Sequence, residues 1–126
     1  MLKPIDTVKL FENRPELAFK AGETIFETGT EGTVMYGIIE GQVEMRLNGK
    51  LIETLEMGDV FGEGALLHSD HLRSSTAIAK TDCILGPMDR EHFLFAVQQT
   101  PMFAIEVLRS YSDRFRRVKE LFQALI

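Results

Sequence analysis

From Glu16 to Met88 glycine-containing turns cut the chain into short apolar runs, and that punctuation leaves few folds open. Leu17 and Phe19 alternate, Ala21-Gly22 turns, and Ile25-Phe26 continue to a second turn over Thr28-Gly29-Thr30-Glu31-Gly32. Val34 to Ile39 and Val43 to Leu47 read as strands on either side of Glu40-Gly41-Gln42. Asn48-Gly49 then marks a hairpin, because a type I′ turn needs positive φ at both central residues. Lys50 to Leu55 is the returning strand, and Ser75 to Ala79 and Cys83 to Met88 supply two more. Many short strands at this spacing predict a mainly β fold with flanking helices. This pattern fits a sandwich or a jelly-roll barrel better than a parallel sheet; the architecture carried forward is the double-stranded β-helix (jelly-roll) barrel over about residues 15–88, followed by a long C-terminal helix.

Beyond Met88 the period changes from two to that of a helix. Asp89 is the expected N-cap of a helix running to Gln98, with Phe93, Leu94 and Val97 apolar. Thr100-Pro101 restarts the count, with Thr as N-cap and Pro at the first helical position. Ala104, Leu108, Tyr111, Phe115, Val118, Phe122 and Leu125 then recur four and three apart along a helix of about 37 Å. This seam predicts a homodimer through the last helix, while Ile105, Val107, Leu121 and Ile126 widen the apolar face toward the chain's own barrel. At the other end, Asp6 to Asn13 read as a short helix capped by Asp6 and ended by Pro15.

A chain of 126 residues is expected to be one domain, 1–126, with helices over about 89–126. The net charge of −5 argues against direct DNA binding, which needs a basic footprint. Met1 to Arg14 mixes both charges and no apolar run is long enough to span a bilayer, so a cytoplasmic protein is expected. A single cysteine excludes an internal disulfide and a four-cysteine iron–sulfur site; Cys83, in an apolar run, is read as a buried thiol. His68, Asp70 and His71 share one loop but lack convergent further ligands, so no metal is expected. No serine has the triad logic of a nucleophile and no metal-dependent barrel-enzyme spacing is present; the chain is read as no enzyme.

The stretch from Phe61 to Ala79 carries the chemistry. Gly62, Gly64 and Ala65 would let bare N–H groups approach an anion, around the single acid Glu63. Arg73, followed by Ser74 and Ser75, adds a permanent charge and hydroxyls suited to phosphate oxygens. On residue types alone the same stretch also reads as a turn, a short helix and a surface ion pair between Glu63 and Arg73.

This stretch resembles the phosphate-binding cassette of the cyclic-nucleotide-binding domain family, of the type found in catabolite activator sensor domains; a stand-alone unit without a helix-turn-helix is expected. Lys20-Ala21-Gly22-Glu23-Thr24-Ile25-Phe26, Gly29, Gly41 and Gly58-Asp59 follow the family's spacing, so the similarity covers roughly residues 15–126. The resemblance implies a regulatory module for cAMP or cGMP. Glu63 would take the ribose hydroxyl, Gly62, Gly64 and Ala65 would offer N–H groups, and Arg73, Ser74 and Ser75 would hold the phosphate. The last helix would cap the base, with one or two cations from Arg109, Arg114, Arg116, Arg117 and Lys119 over the pocket, and would signal to a partner, a second copy or an effector protein. Gly64 stands where the family has an aliphatic residue and Ser75 where it has Ala; these departures support the alternative, a nucleotide-free scaffold of the same fold. Adenine and guanine are not distinguished at this level.

Overall fold

The computed structural model describes residues 15–126; the helix expected over Asp6 to Asn13 lies outside them. Eight strands follow in order: β1 (Leu17–Phe19), β2 (Thr24–Phe26), β3 (Val34–Glu40), β4 (Val43–Leu47), β5 (Lys50–Leu55), β6 (Val60–Phe61), β7 (Thr76–Ala79) and β8 (Cys83–Asp89). A short helix α1 (Gly64–Leu67) interrupts them, and α2 (Arg90–Gln99) and α3 (Met102–Gln123) close the chain. The strands form two four-stranded sheets, β1-β8-β3-β6 and β2-β7-β4-β5, with antiparallel pairings throughout. This is the jelly-roll expected from the glycine spacing. The Asn48-Gly49 hairpin has positive φ at both residues, as its turn type requires.

One core fills the space between the sheets, built on Ile38, Val43, Met45, Leu55, Phe61, Ala77 and Leu85. A second lies on the outer face of the first sheet, where Met35, Val60, Leu66 and Met88 meet Ala96, Phe103 and Val107 of the helices. Strand β3 serves both: Val34, Tyr36 and Ile38 enter the barrel and Met35 faces the helices, so its central residues are buried on either side. The second core fixes the helices beside the cassette. Cys83 is buried, and burial pushes its thiol pKa up, the opposite of what a reactive thiol needs.

Three details differ from expectation. Strand β6 is missing from the sequence reading because two residues carry no period; it is defined by Tyr36↔Phe61 and Gly37↔Val60 across the sheet. Helix α3 starts at Met102, with Pro101 at its cap and no side-chain cap bond; Thr100 contributes its carbonyl to the Phe103 N–H instead of capping. The predicted seam also splits. The face of α3 packed on its own domain carries Phe103, Glu106, Val107 and Ser110, and Tyr111 of the seam turns partly inward, whereas Leu108, Phe115, Phe122 and Leu125 stay exposed. Asp89 does cap α2, accepting from the His92 N–H at 2.9 Å.

Candidate functional site

Gly62, Glu63, Gly64, Ala65, Arg73, Ser74 and Ser75 come together around one cleft of about 380 Å³, open mouth included. Phe26, Met45, Leu72 and Arg114 complete its walls. Strand β6 delivers the glycine turn, α1 turns the chain away, and the loop back to β7 returns Arg73 to the same place. That loop is laced to the 29–31 turn: Arg73 N–H donates to Thr30 O and Gly29 N–H donates to Arg73 O, each at 2.8 Å. His71 Nδ1 lies 2.7 Å from Ala65 O, so this histidine fastens the loop to α1.

Arg73 is only 5% exposed. Its Nη1 donates to Gly62 O at 2.9 Å and its Nη2 to Val34 O at 2.7 Å, with the guanidinium 4.1 Å over the Phe26 ring. Burial lowers its pKa from the ordinary value, against the charges of Tyr36 and Glu63, and it remains a cation. Its Nε is buried without a hydrogen-bond partner. Two glycines make the seat possible: a Cβ at Gly32 would fall on the guanidinium, and one at Gly62, where φ is +81°, would meet Nη1. The surface ion pair considered between Glu63 and Arg73 is not formed among the described residues; Arg73 is held inside by carbonyls instead.

Glu63 caps α1 in helical conformation with no side-chain cap bond, which leaves its carboxylate for the cleft. That carboxylate accepts the Tyr111 hydroxyl from α3. Burial, then the Glu63 charge, raises the Tyr111 pKa well above its usual value, so the phenol stays a donor. The Ala65 N–H, expected to be free for a ligand, points to Gly62 O at 3.3 Å in the first turn of α1. Ser74 is exposed and Ser75 half-buried at the cleft wall. The departure at Gly64 has a local reason, since an added Cβ would press on the His68 ring at 3.3 Å.

At the far end Arg114 donates from Nε and Nη2 to Glu53 Oε1 at 3.1 and 2.5 Å, and from Nη1 to Val60 O at 2.7 Å. Burial lowers its pKa, but the Glu53 hydrogen bond and the charges of Tyr111, Glu53 and Glu63 outweigh that and raise it overall. Arg117 reaches Asp59 at 3.1 Å. Of the basic residues on the last helix, Arg114 lines the cleft. Sequence reasoning missed Glu53, Phe26, Met45 and the inward role of Tyr111. Strand alternation held a signal for Glu53, which shares its face of β5 with buried Leu55.

The cyclic nucleotide-binding domain family matches residues 16–100, and the chain belongs to that family. It is similar to a cGMP-dependent protein kinase of Plasmodium berghei (strain Anka), 46% identical over 67 residues, 52% of this chain and 8% of the relative. A cAMP-dependent protein kinase regulatory subunit of Eremothecium gossypii is 38% identical over 72 residues, 57% of this chain and 16% of the relative. The chain thus spans a small part of these relatives. A solved structure described in the words "A cyclic-GMP-dependent signalling pathway regulates bacterial phytopathogenesis" superposes with a TM-score of 0.75 at 28% identity, over 93% of this chain and 94% of that one. No helix among the described residues is long and apolar enough to cross a membrane.

Proposed function

We propose that this domain holds a cyclic mononucleotide, cAMP or cGMP, in the cleft between Gly62 and Ser75 and reports its presence through α3, without chemistry on the ligand. The observation that carries the reading is the buried Arg73 cation with an unpartnered Nε at a cleft lined by glycine backbone. A buried donor on a charged group without an acceptor is costly, and a phosphate oxygen would supply that acceptor. The ribose hydroxyl goes to Glu63, and Gly62, Gly64 and Ala65 face the sugar and phosphate, with Ser74 and Ser75 adding hydroxyls at the phosphate. Signal passage has a physical route, because Tyr111 of α3 already holds the Glu63 carboxylate. A ligand moves the helix only as far as its affinities for the two helix positions differ.

The partner is a second copy of the chain: exposed Leu108, Phe115 and Phe122 form one apolar stripe along α3, with exposed Leu125 just past its end. The work is done in the cytoplasm, through whatever effector reads the paired helices. The relatives' names include both cGMP and cAMP dependence, so both are ligands to test. Calorimetric titration of wild type and Arg73→Leu with each nucleotide is the experiment. Binding by wild type and its loss in the variant support the reading; equal binding by both removes Arg73 from it. Absence of binding to wild type favours the nucleotide-free scaffold.

A further inference from the structure

One face of α3 meets two different surroundings along its length. In the first half Ala104, Leu108 and Tyr111 line an apolar groove whose other walls are Leu66 and Leu67 of α1 and Phe93 and Val97 of α2. In the second half the same heptad face continues through Phe115, Val118 and Phe122 to Leu125, just past the helix, and Phe115, Phe122 and Leu125 are exposed. The first half thus offers a groove and the second an apolar ridge, with Leu108 and Phe122 about 21 Å apart along the axis.

We propose that the ridge of a second copy of the chain lies in this groove, the two α3 helices running antiparallel, an inference that rests on the second-copy reading of the stripe. The two-fold axis then forms every contact twice. The heptad makes the register specific: with Phe115 beside the partner's Val118, the partner's Phe122 meets Tyr111 and the partner's Leu125 meets Leu108. Tyr111 holds the Glu63 carboxylate, so the partner's Phe122 supports the contact that joins cleft to helix. Glu63, on the groove lining, is engaged by that hydroxyl, and the ridge brings no charge of its own to the seam. A parallel pair sets ridge against ridge and groove against groove, which leaves Leu67 and the groove walls in water.

The area suits a stable pair. Leu67, Leu108, Phe115, Leu121, Phe122 and Leu125 are 58–82% exposed. At roughly 200 Å² for a large side chain, covering them removes about 750 Å² per copy and about 1,500 Å² per pair. Specific interfaces bury roughly 1,200–2,000 Å².

Pulsed electron paramagnetic resonance on the full chain separates the two arrangements. A spin label on Ile105→Cys reads one distance per pair, and Cys83, being buried, is left in place. The antiparallel pair holds the labels about 35 Å apart along the axis. A parallel pair holds them within about 20 Å, because packed helix axes lie about 10 Å apart. Ile126→Cys gives a second position, about 28 Å in the antiparallel pair, that serves if the first variant fails to fold. Leu67→Asp, at the groove wall, should raise the dimer dissociation constant at least about tenfold in sedimentation equilibrium. A short label distance, or dimerisation unchanged in Leu67→Asp, overturns the groove as the docking site while the second-copy reading stands. Wild type that stays monomeric overturns both.

Discussion

At one end of the cleft Arg73 rests on backbone, on Gly62 O and Val34 O, in a seat that Gly32 and Gly62 keep open. Toward α3 the contacts run mostly between side chains: Tyr111 on Glu63, Arg114 on Glu53 as well as on Val60 O, and, beyond the cleft lining, Arg117 on Asp59. The first end is set by strand and turn geometry and changes only if the barrel does. The second joins the barrel to a single helix beside an apolar groove of about 1080 Å³, open mouth included, lined by residues including Leu66, Leu67, Phe93, Val97 and Leu108. Groups fixed by backbone suit tight holding of an anion, and groups fixed by rotatable side chains suit an equilibrium that a ligand shifts. The contrast supports the proposed division, with binding at the cassette and response at the helix.

The largest break in that contrast is Arg73→Leu. Ligand affinity should fall by about 2–5 kcal/mol, as expected when a buried phosphate loses its charged partner. The empty protein is affected too, because two carbonyls lose their donor, and chemical denaturation should show about 1–3 kcal/mol less stability. Unchanged stability would mean that the carbonyls find water and the seat is looser than drawn.

Next comes Phe115→Glu at the helix end. Phe115 is 63% exposed, so the monomer's folding free energy should move by no more than about 0.5 kcal/mol. Dimerisation should weaken by about 2 kcal/mol or more if Phe115 is a central contact. Sedimentation equilibrium reads this directly, and wild type sedimenting as a 14.3 kDa species at tens of micromolar would end the dimer proposal.

The smallest effect is the most specific to the response end. Tyr111→Phe removes one hydrogen bond to a carboxylate and should cost about 1–2 kcal/mol of stability near neutral pH. Because the folded pKa of Tyr111 is raised, its contribution is complete below the ordinary phenol value of about 10 and is lost as pH rises toward the folded value. Urea unfolding at pH 8 and pH 10.5 should therefore show a steeper alkaline loss for wild type than for the phenylalanine variant. Parallel pH curves would show that Tyr111 does not hold Glu63 through its hydroxyl.

What was legible in the sequence was what is local. The Asn48-Gly49 turn, the Asp89 cap and the run from Gly62 to Ser75 carry their geometry in neighbouring residues, and all seven predicted cleft residues converge. Arg73's seat was not legible, because Phe26 of β2, Val34 of β3 and Gly32 of the connection between them reach it from far away in sequence. Tyr111 was read as part of the dimer seam because its spacing fits. Which neighbour a half-turned helix residue meets depends on packing that no period encodes. Glu53 was not singled out on its strand, although its parity with Leu55 pointed inward.

The central claim is that a cyclic phosphate meets the unpartnered Nε of Arg73. Proton–nitrogen NMR of arginine side chains observes that group directly, once the signal is assigned by its absence in Arg73→Leu. Saturating cyclic nucleotide should shift the Arg73 Nε–H resonance and slow its exchange with water, while guanosine or adenosine, lacking the phosphate, should not. A bound nucleotide that leaves this resonance and its exchange rate unchanged would contradict the account.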